Sequence, residues 1–194
     1  LVGSGGNDTF FVNSAVQGVG VGSTLTGSSG SDSFDFGTYA LTSVQLFGNQ
    51  DNDTIRLVGP VSDSSIYGGK GEDSLQLRDT LTNAYLEANS GNDTVNITAG
   101  VTGTYLHGGQ GDDRFSVTGT VSNSTLVGGS GADLLTFNNR VDGVSLAGAS
   151  DGGTADTAND TIVFSAAANA NNISFAECAD SLSLNRGLTG STVV

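Results

Sequence analysis

GGKGEDSLQL, residues 68–77, sets three glycines and two acids ahead of a polar–apolar alternation. Alone, it reads as a turn leading into a strand with one buried face. It does not stand alone, since GGQGDDRFSV begins at residue 108 and GGSGADLLTF at residue 128. Repetition of this kind decides the fold before any local propensity does.

The last aspartate of each unit serves as an origin: Asp8, Asp32, Asp53, Asp73, Asp93, Asp113, Asp133, Asp160 and Asp180. Successive origins lie 24, 21, 20, 20, 20, 20, 27 and 20 residues apart, and the long interval holds an insertion near residues 151–157. Two and four residues after every origin stands an apolar side chain, from Phe10 and Val12 to Leu182 and Leu184. Seven residues before it stand Leu1, Leu25, Leu46, Ile66, Leu86, Leu106, Leu126 and Ile173. Eight residues after it, in the regular units, stand Val61, Leu81, Val101, Val121 and Val141.

Apolar residues two apart, with Ser, Thr or Arg between them, mark a strand with one buried face. A second short strand runs into the leucine seven before the origin, and a small residue (Ser64, Ala84, Thr104 or Ser124) precedes that leucine by two. Glycine and β-branched residues dominate, and no 3.6-residue period appears, which excludes helix. The reading is all-β: a parallel β-solenoid of about nine turns, with ~20 residues per turn. Residues 1–164 form its regular part, and residues 165–194 form a degenerate terminal turn and tail.

Composition agrees with a narrow core. Apolar residues are 36% of 194, charged residues 13%, and 30 residues are glycine. Formal net charge is −14, from 20 acids and 6 bases, which excludes a nucleic-acid partner because phosphate binding needs a basic surface. Cys178 is the only cysteine, so no disulfide framework exists, and it reads as a small buried residue. No apolar run approaches the ~20 residues of a membrane span. The chain contains no Met and no signal-like segment, and reads as a processed chain or a piece of a longer one.

Stacking coils at the ~4.8 Å strand spacing sets like residues above like. Arg56 then falls beside Asp35, an opposite-charge pair. The same stacking sets Asp8, Asp32, Asp53, Asp73, Asp93, Asp113, Asp133 and Asp160 in one column. Like charges so close repel by roughly 1 kcal/mol per pair in water and more at a drier edge. A Ca²⁺ ion, which takes 6–8 oxygens from carboxylates and carbonyls, would offset that. The flanking glycines permit positive φ and can aim carbonyls near Gly68, Gly71, Gly108, Gly111, Gly128 and Gly131 at the same ion. The other reading is a plain tight turn in which each aspartate caps a backbone donor.

GGKGED, GGQGDD and GGSGAD, each followed by x-apolar-x-apolar, resemble the RTX, or haemolysin-type, calcium-binding repeat G-G-x-G-x-D-x-apolar-x. Looser copies are GSGGND at 3, GSSGSD at 27, GNQDND at 48 and ANSGND at 88. The resemblance covers residues 1–164. It implies a parallel β-roll with Ca²⁺ between stacked turns, export from a Gram-negative bacterium, usually by a type I system, and folding driven by extracellular calcium. The family repeat is usually nine residues long with ion loops on both edges. Here the motif comes once per ~20 residues, so one ion row is expected. FAECAD, at 175–180, has no glycine, which leaves Asp180 outside the metal set.

No catalytic constellation emerges. His107, the only histidine, shares an outward column with Phe47, Tyr67 and Glu87. The glycine loops lead into strands without the Lys-Ser or Lys-Thr of a phosphate loop, and no isolated pair of acids marks a glycosidase cleft. The expectation is a non-enzymatic, extracellular or cell-surface bacterial rod: part of a filament, surface layer or adhesin. The alternatives are the secretion and folding module of a larger exported enzyme or toxin, and a polysaccharide-modifying β-helix enzyme. Open solenoid ends predict end-to-end self-association or continuation in a longer chain. Cell-surface polysaccharide is a further candidate partner.

Overall fold

The computed structural model describes residues 1–12, 23–149, 158–169, 171–175, 180–185 and 187–194. A regular coil contains three short strands, as in Thr54–Leu57, Val61–Ser62 and Ser65–Lys70. Each strand pairs in parallel with its counterpart one coil away, without slippage: Ile55 with Leu75, Leu81 with Val101, Leu86 with Leu106. The outcome is a parallel β-solenoid with three sheets of nine, eight and nine strands, called here the first, second and third faces. Among the described residues the second face has eight strands, which gives about eight turns against about nine from the aspartate count. The three-sheet pattern runs past residue 165 to Leu188–Thr189 and Thr192–Val193. The insertion near 151–157 lies outside the described residues.

The apolar columns are the core. Ile55, Leu75, Leu57, Leu77, Val61, Leu81, Ile66 and Leu86 are all buried, as are the large rings of Phe34, Phe115, Phe137 and Phe164. Leu146 fills the core column in the coil that carries the insertion, between Leu126 and Ile173. Leu1 departs from expectation. Its carbonyl accepts the Thr26 N–H at 3.0 Å, so its register holds. Its side chain is nevertheless 74% exposed, because no described coil covers its outer side.

At the corner between the second and third faces the small residues are polar and buried. Ser64 Oγ accepts the Val44 N–H at 3.1 Å and donates to Ser62 O at 2.8 Å. Ser124 Oγ accepts the Thr104 N–H and donates to Ser122 O. Asn171 Oδ1 accepts the Val144 N–H, and its Nδ2 donates to Val141 O. Neutral side chains therefore satisfy part of the buried backbone of this corner from the neighbouring coil, interspersed with buried Val44, Ala84 and Val144, which carry no capping oxygen. On the first face, Arg56 meets both carboxylate oxygens of Asp35 at 2.8 and 2.9 Å, the pair expected from the register.

Strand parity has a direct test. Leu106 is fully buried, whereas the adjacent Tyr105 faces outward and is half-buried. Leu106→Ala is expected to cost roughly 2–5 kcal/mol in chemical denaturation. Tyr105→Ala should cost no more than about 1.5 kcal/mol, mostly from its stack with Tyr85.

Candidate metal centre

The glycine-rich turns form the corner between the third and first faces. Two positions in each turn require the left-handed region. Gly69 and Gly71 have φ of 128° and 123°. In the looser copies the same positions are held by Asn49 at 90°, Asp51 at 70° and Asn89 at 83°. Asn and Asp tolerate that region better than other side chains do, so GNQDND and ANSGND keep the turn without the full glycine set.

Gly68, Gly108 and Gly128 serve a different purpose, which corrects the expectation that every motif glycine supplies positive φ. They lie outside the left-handed region. A Cβ on Gly68 would stand 2.5 Å from Asp73 Oδ2 and 2.6 Å from Ala88 O. Gly27, Gly48, Gly108 and Gly128 are crowded in the same way by their own coil's aspartate and by a carbonyl of the next coil. These glycines make room for a carboxylate that turns into the solenoid.

The aspartates do turn inward. Asp32, Asp53, Asp73, Asp93, Asp113, Asp133 and Asp160 are only 1–2% exposed, and Asp8, at the first coil, is half-buried. From Asp32 onward each lends Oδ1 to the backbone N–H of the preceding origin, while Asp8 Oδ2 accepts the Ser4 N–H. Asp32 N donates to Asp53 at 2.7 Å, Asp53 N to Asp73 at 2.8 Å, and Asp73 N to Asp93 at 2.7 Å. The ladder continues through Asp113 and Asp133 and ends with Asp160 N donating to Asp180 at 2.9 Å. An adjacent outer column runs in the opposite sense: Asn52 caps the Glu72 N–H, Asn92 that of Asp112, and Asp112 that of Ala132.

The capping reading is thus realised, but it engages half of each carboxylate. Oδ2 of Asp32, Asp53, Asp73, Asp93 and Asp113 is buried with no hydrogen-bond partner. Above the glycines these oxygens meet carbonyls of the next coil: Asp53 Oδ2 and Gly68 O converge over Gly48, and Asp113 Oδ2 and Gly128 O over Gly108. Two acceptors around one space, one of them a carboxylate, require a proton or a cation between them. Burial, reinforced by the next aspartate in the column, pushes Asp53, Asp73 and Asp93 up to about 7, against the hydrogen bond that each accepts. Asp113 is raised to about 7 in the same way, with the neighbouring charge of Asp112 contributing.

The donor set suits a hard cation. Among the described residues no three His, Cys, Asp or Glu side chains form a metal cluster, and the oxygens that stand beside the free carboxylate atoms are backbone carbonyls. Residues 116–139 match the family model of the RTX calcium-binding nonapeptide repeat (4 copies). The matched segment contains Asp133 and the Gly128–Gly131 turn, one unit of the ladder. RTX repeats bind Ca²⁺, and the buried, half-satisfied carboxylates fit that ion. The chain matches no curated protein and no solved structure.

Of the residues singled out from sequence, all eight aspartates share this column. The carbonyls divide. Those of Gly68 and Gly128 stand beside buried carboxylate oxygens. The Gly71, Gly111 and Gly131 turns pack instead on the outer column, with Asn52, Asn92 and Asp112 Oδ1 among the nearest atoms. Three features escaped sequence reasoning: the terminal cap from Asp180, the counter-running column at Asn52, Asn92 and Asp112, and the buried ladder at Ser64, Thr104 and Ser124. Each was visible only as a column of polar residues, without a partner assigned.

The raised carboxyls set the sign of the pH dependence. Between their ordinary value of 3.8 and about 7, the calcium-free folded chain holds protons that the unfolded chain has lost. Its stability therefore falls as pH rises through that window. Calcium needs the deprotonated form, so its affinity rises over the same window. Thermal midpoints measured from pH 4.5 to 7.5 should fall in chelator and fall less, or rise, in excess calcium.

Asp113→Asn separates capping from metal binding. Asparagine keeps the Oδ1 acceptor for the Asp93 N–H and offers a donor to Gly128 O. At pH 7.5 it is expected to match or exceed the wild type in chelator, and to lose part of the calcium-dependent stabilisation. Equal destabilisation in both conditions would show that the carboxylate serves the backbone alone.

Proposed function

We propose that this protein is a calcium-stabilised structural rod that works outside the bacterial cell, in a filament, surface layer or adhesin. One observation carries the reading: at coil after coil a buried carboxylate leaves one oxygen without a partner, in a column one strand spacing apart. Calcium between coils would turn that repulsion into cohesion, with aspartate oxygens from one coil and carbonyls from the next as ligands. Extracellular calcium concentrations supply such ions readily to sites of the millimolar class. RTX repeats are typically found in secreted proteins, which supports the location.

The role is structural in this reading because the buried acids stand in register, each on its neighbour's N–H, instead of facing one another across a cleft.

Calcium removal tests the proposal. An ion that binds only the folded state at a hundredfold excess over its dissociation constant adds about 2.7 kcal/mol per site. Chelation is expected to lower the thermal midpoint sharply, and dialysed protein should retain several calcium ions by elemental analysis. A midpoint unchanged in excess chelator, with no metal retained, would overturn the assignment.

A further inference from the structure

The outer side of the third face departs from repetition in one place. Its outward positions hold Thr24 and Thr26 in one coil, Thr125 and Val127 in another, and Ser145 and Ala147 in the next. Between them one column holds Gln45, Ser65, Tyr85 and Tyr105, and the other Phe47, Tyr67, Glu87 and His107. The rings of Phe47 and Tyr67 stack at 4.8 Å, and those of Tyr85 and Tyr105 at 5.2 Å, with planes within 7°. The coil spacing of ~4.8 Å suits such stacks, so each ring holds the next in place. The Tyr85 hydroxyl donates to Glu87 at 2.8 Å, and His107 Nδ1 lies 3.7 Å from the same carboxylate.

Beside this wall runs a groove. One part, of about 430 Å³, is lined by Phe47, Tyr67, Gln50 and Lys70. A second, of about 340 Å³, is lined by Glu87, His107 and Gln110, and the two share Asn89 and Ser90. From Phe47 to His107 is three coil steps, ~14 Å. The rim alternates donors and acceptors: the Lys70 ammonium, the Glu87 carboxylate, and the amides of Gln50 and Gln110.

We propose that this groove binds a neutral polysaccharide chain. Hydroxyl-rich rings match a rim that both donates and accepts, and their apolar ring faces match an aromatic wall. Charge selects among the occupants. Outside the seven buried aspartates the chain still has 13 acids against 6 bases, and with Glu87 in the groove these oppose a polyanion. A polycation would find acids over the whole surface and needs no aromatic wall. A peptide strand adds to an open sheet edge, whereas these strands are already paired on both sides. A stable protein interface needs an apolar centre and upwards of ~1,000 Å² of buried surface, and this groove is short and amide-lined. The inference rests on the outer face of the fold, and no ligand for the saccharide comes from the carboxylate column.

The test is calorimetric titration of the calcium-loaded chain with cellohexaose, maltohexaose and laminarihexaose, with hexagalacturonate as the anionic comparator. One neutral hexaose is expected to bind. Tyr67→Ala should weaken it on the order of tenfold, with Phe47→Ala acting in the same direction. Thr125→Ala, on the same face beyond the groove, should leave binding unchanged. The chain has no Trp, and Tyr67, Tyr85 and Tyr105 are three of its four tyrosines. Saccharide-dependent tyrosine emission in the wild type therefore reports on the groove even where a variant fails to fold. No binding of any neutral hexaose at millimolar concentration, tighter binding of hexagalacturonate, or equal loss in Thr125→Ala would each overturn the proposal.

Discussion

The structure depends on one constraint: the backbone N–H at each glycine-rich corner is buried and must be satisfied from the next coil. The side chain that reaches it is an aspartate, and through that choice every coil inherits a buried charge. The opposite corner shows that the charge is not needed for the capping. There Ser64, Ser124 and Asn171 satisfy buried N–H groups with neutral oxygens, and their remaining hydrogens find carbonyls. The capping groups there are neutral and interspersed with buried Val44, Ala84 and Val144, whereas the glycine-rich corner uses, in coil after coil, a group that leaves an anionic oxygen bare. A column of acids where hydroxyls would serve is the sign of a cation, and it outweighs the repulsion that counted alone would make the column a defect.

Glycine follows from the same constraint. A carboxylate that bends inward needs the volume that a Cβ would take, so Gly27, Gly48, Gly68, Gly108 and Gly128 stand opposite it. Ala88 is the exception. It is fully buried, and Asp93 in that coil still caps the Asp73 N–H. The methyl group there occupies space that is open in the other coils, so the Asp93 carboxylate has less freedom to share a ligand. The coils are alike as strands and unlike as ion sites.

Much of this was legible in the sequence because the solenoid makes its columns explicit. In the regular coils the buried positions two, four and eight residues after the aspartate and seven before it could be read directly, and the Arg56–Asp35 pair followed from register alone. The inward turn of the aspartates could not be read. Alternation places side chains only within strands, and Asp73 lies in a corner, where direction depends on the φ values of Gly69 and Gly71. The polarity of the ladder was equally hidden. Asp73 caps the coil before it and Asn52 the coil after it, yet both appear in the sequence as adjacent polar columns. Leu1 shows the limit of column reading: register assigns a residue to the core, but burial needs a neighbour on each side.

Repetition also separates what the fold requires from what it leaves open. Inside, each side chain packs on those above and below it in its column, so a change in one coil must suit the coils on both sides. The columns remain apolar even where Phe34, Ile55, Leu75 and Val95 follow one another. Outside, a residue answers mainly to solvent. Small Ser, Thr and Asn side chains suffice there, as on the second face, where Thr42 pairs with Ser62 and Thr102 with Ser122. Against that background the aromatic run from Phe47 to His107 has no structural necessity. Its rings stack because the coils hold them one strand spacing apart, so the solenoid orders them at no further conformational cost. Cohesion between the coils, which the carboxylate column controls, therefore also fixes the geometry of this outer wall. A rod whose coils separate would lose its stacked rings along with its core.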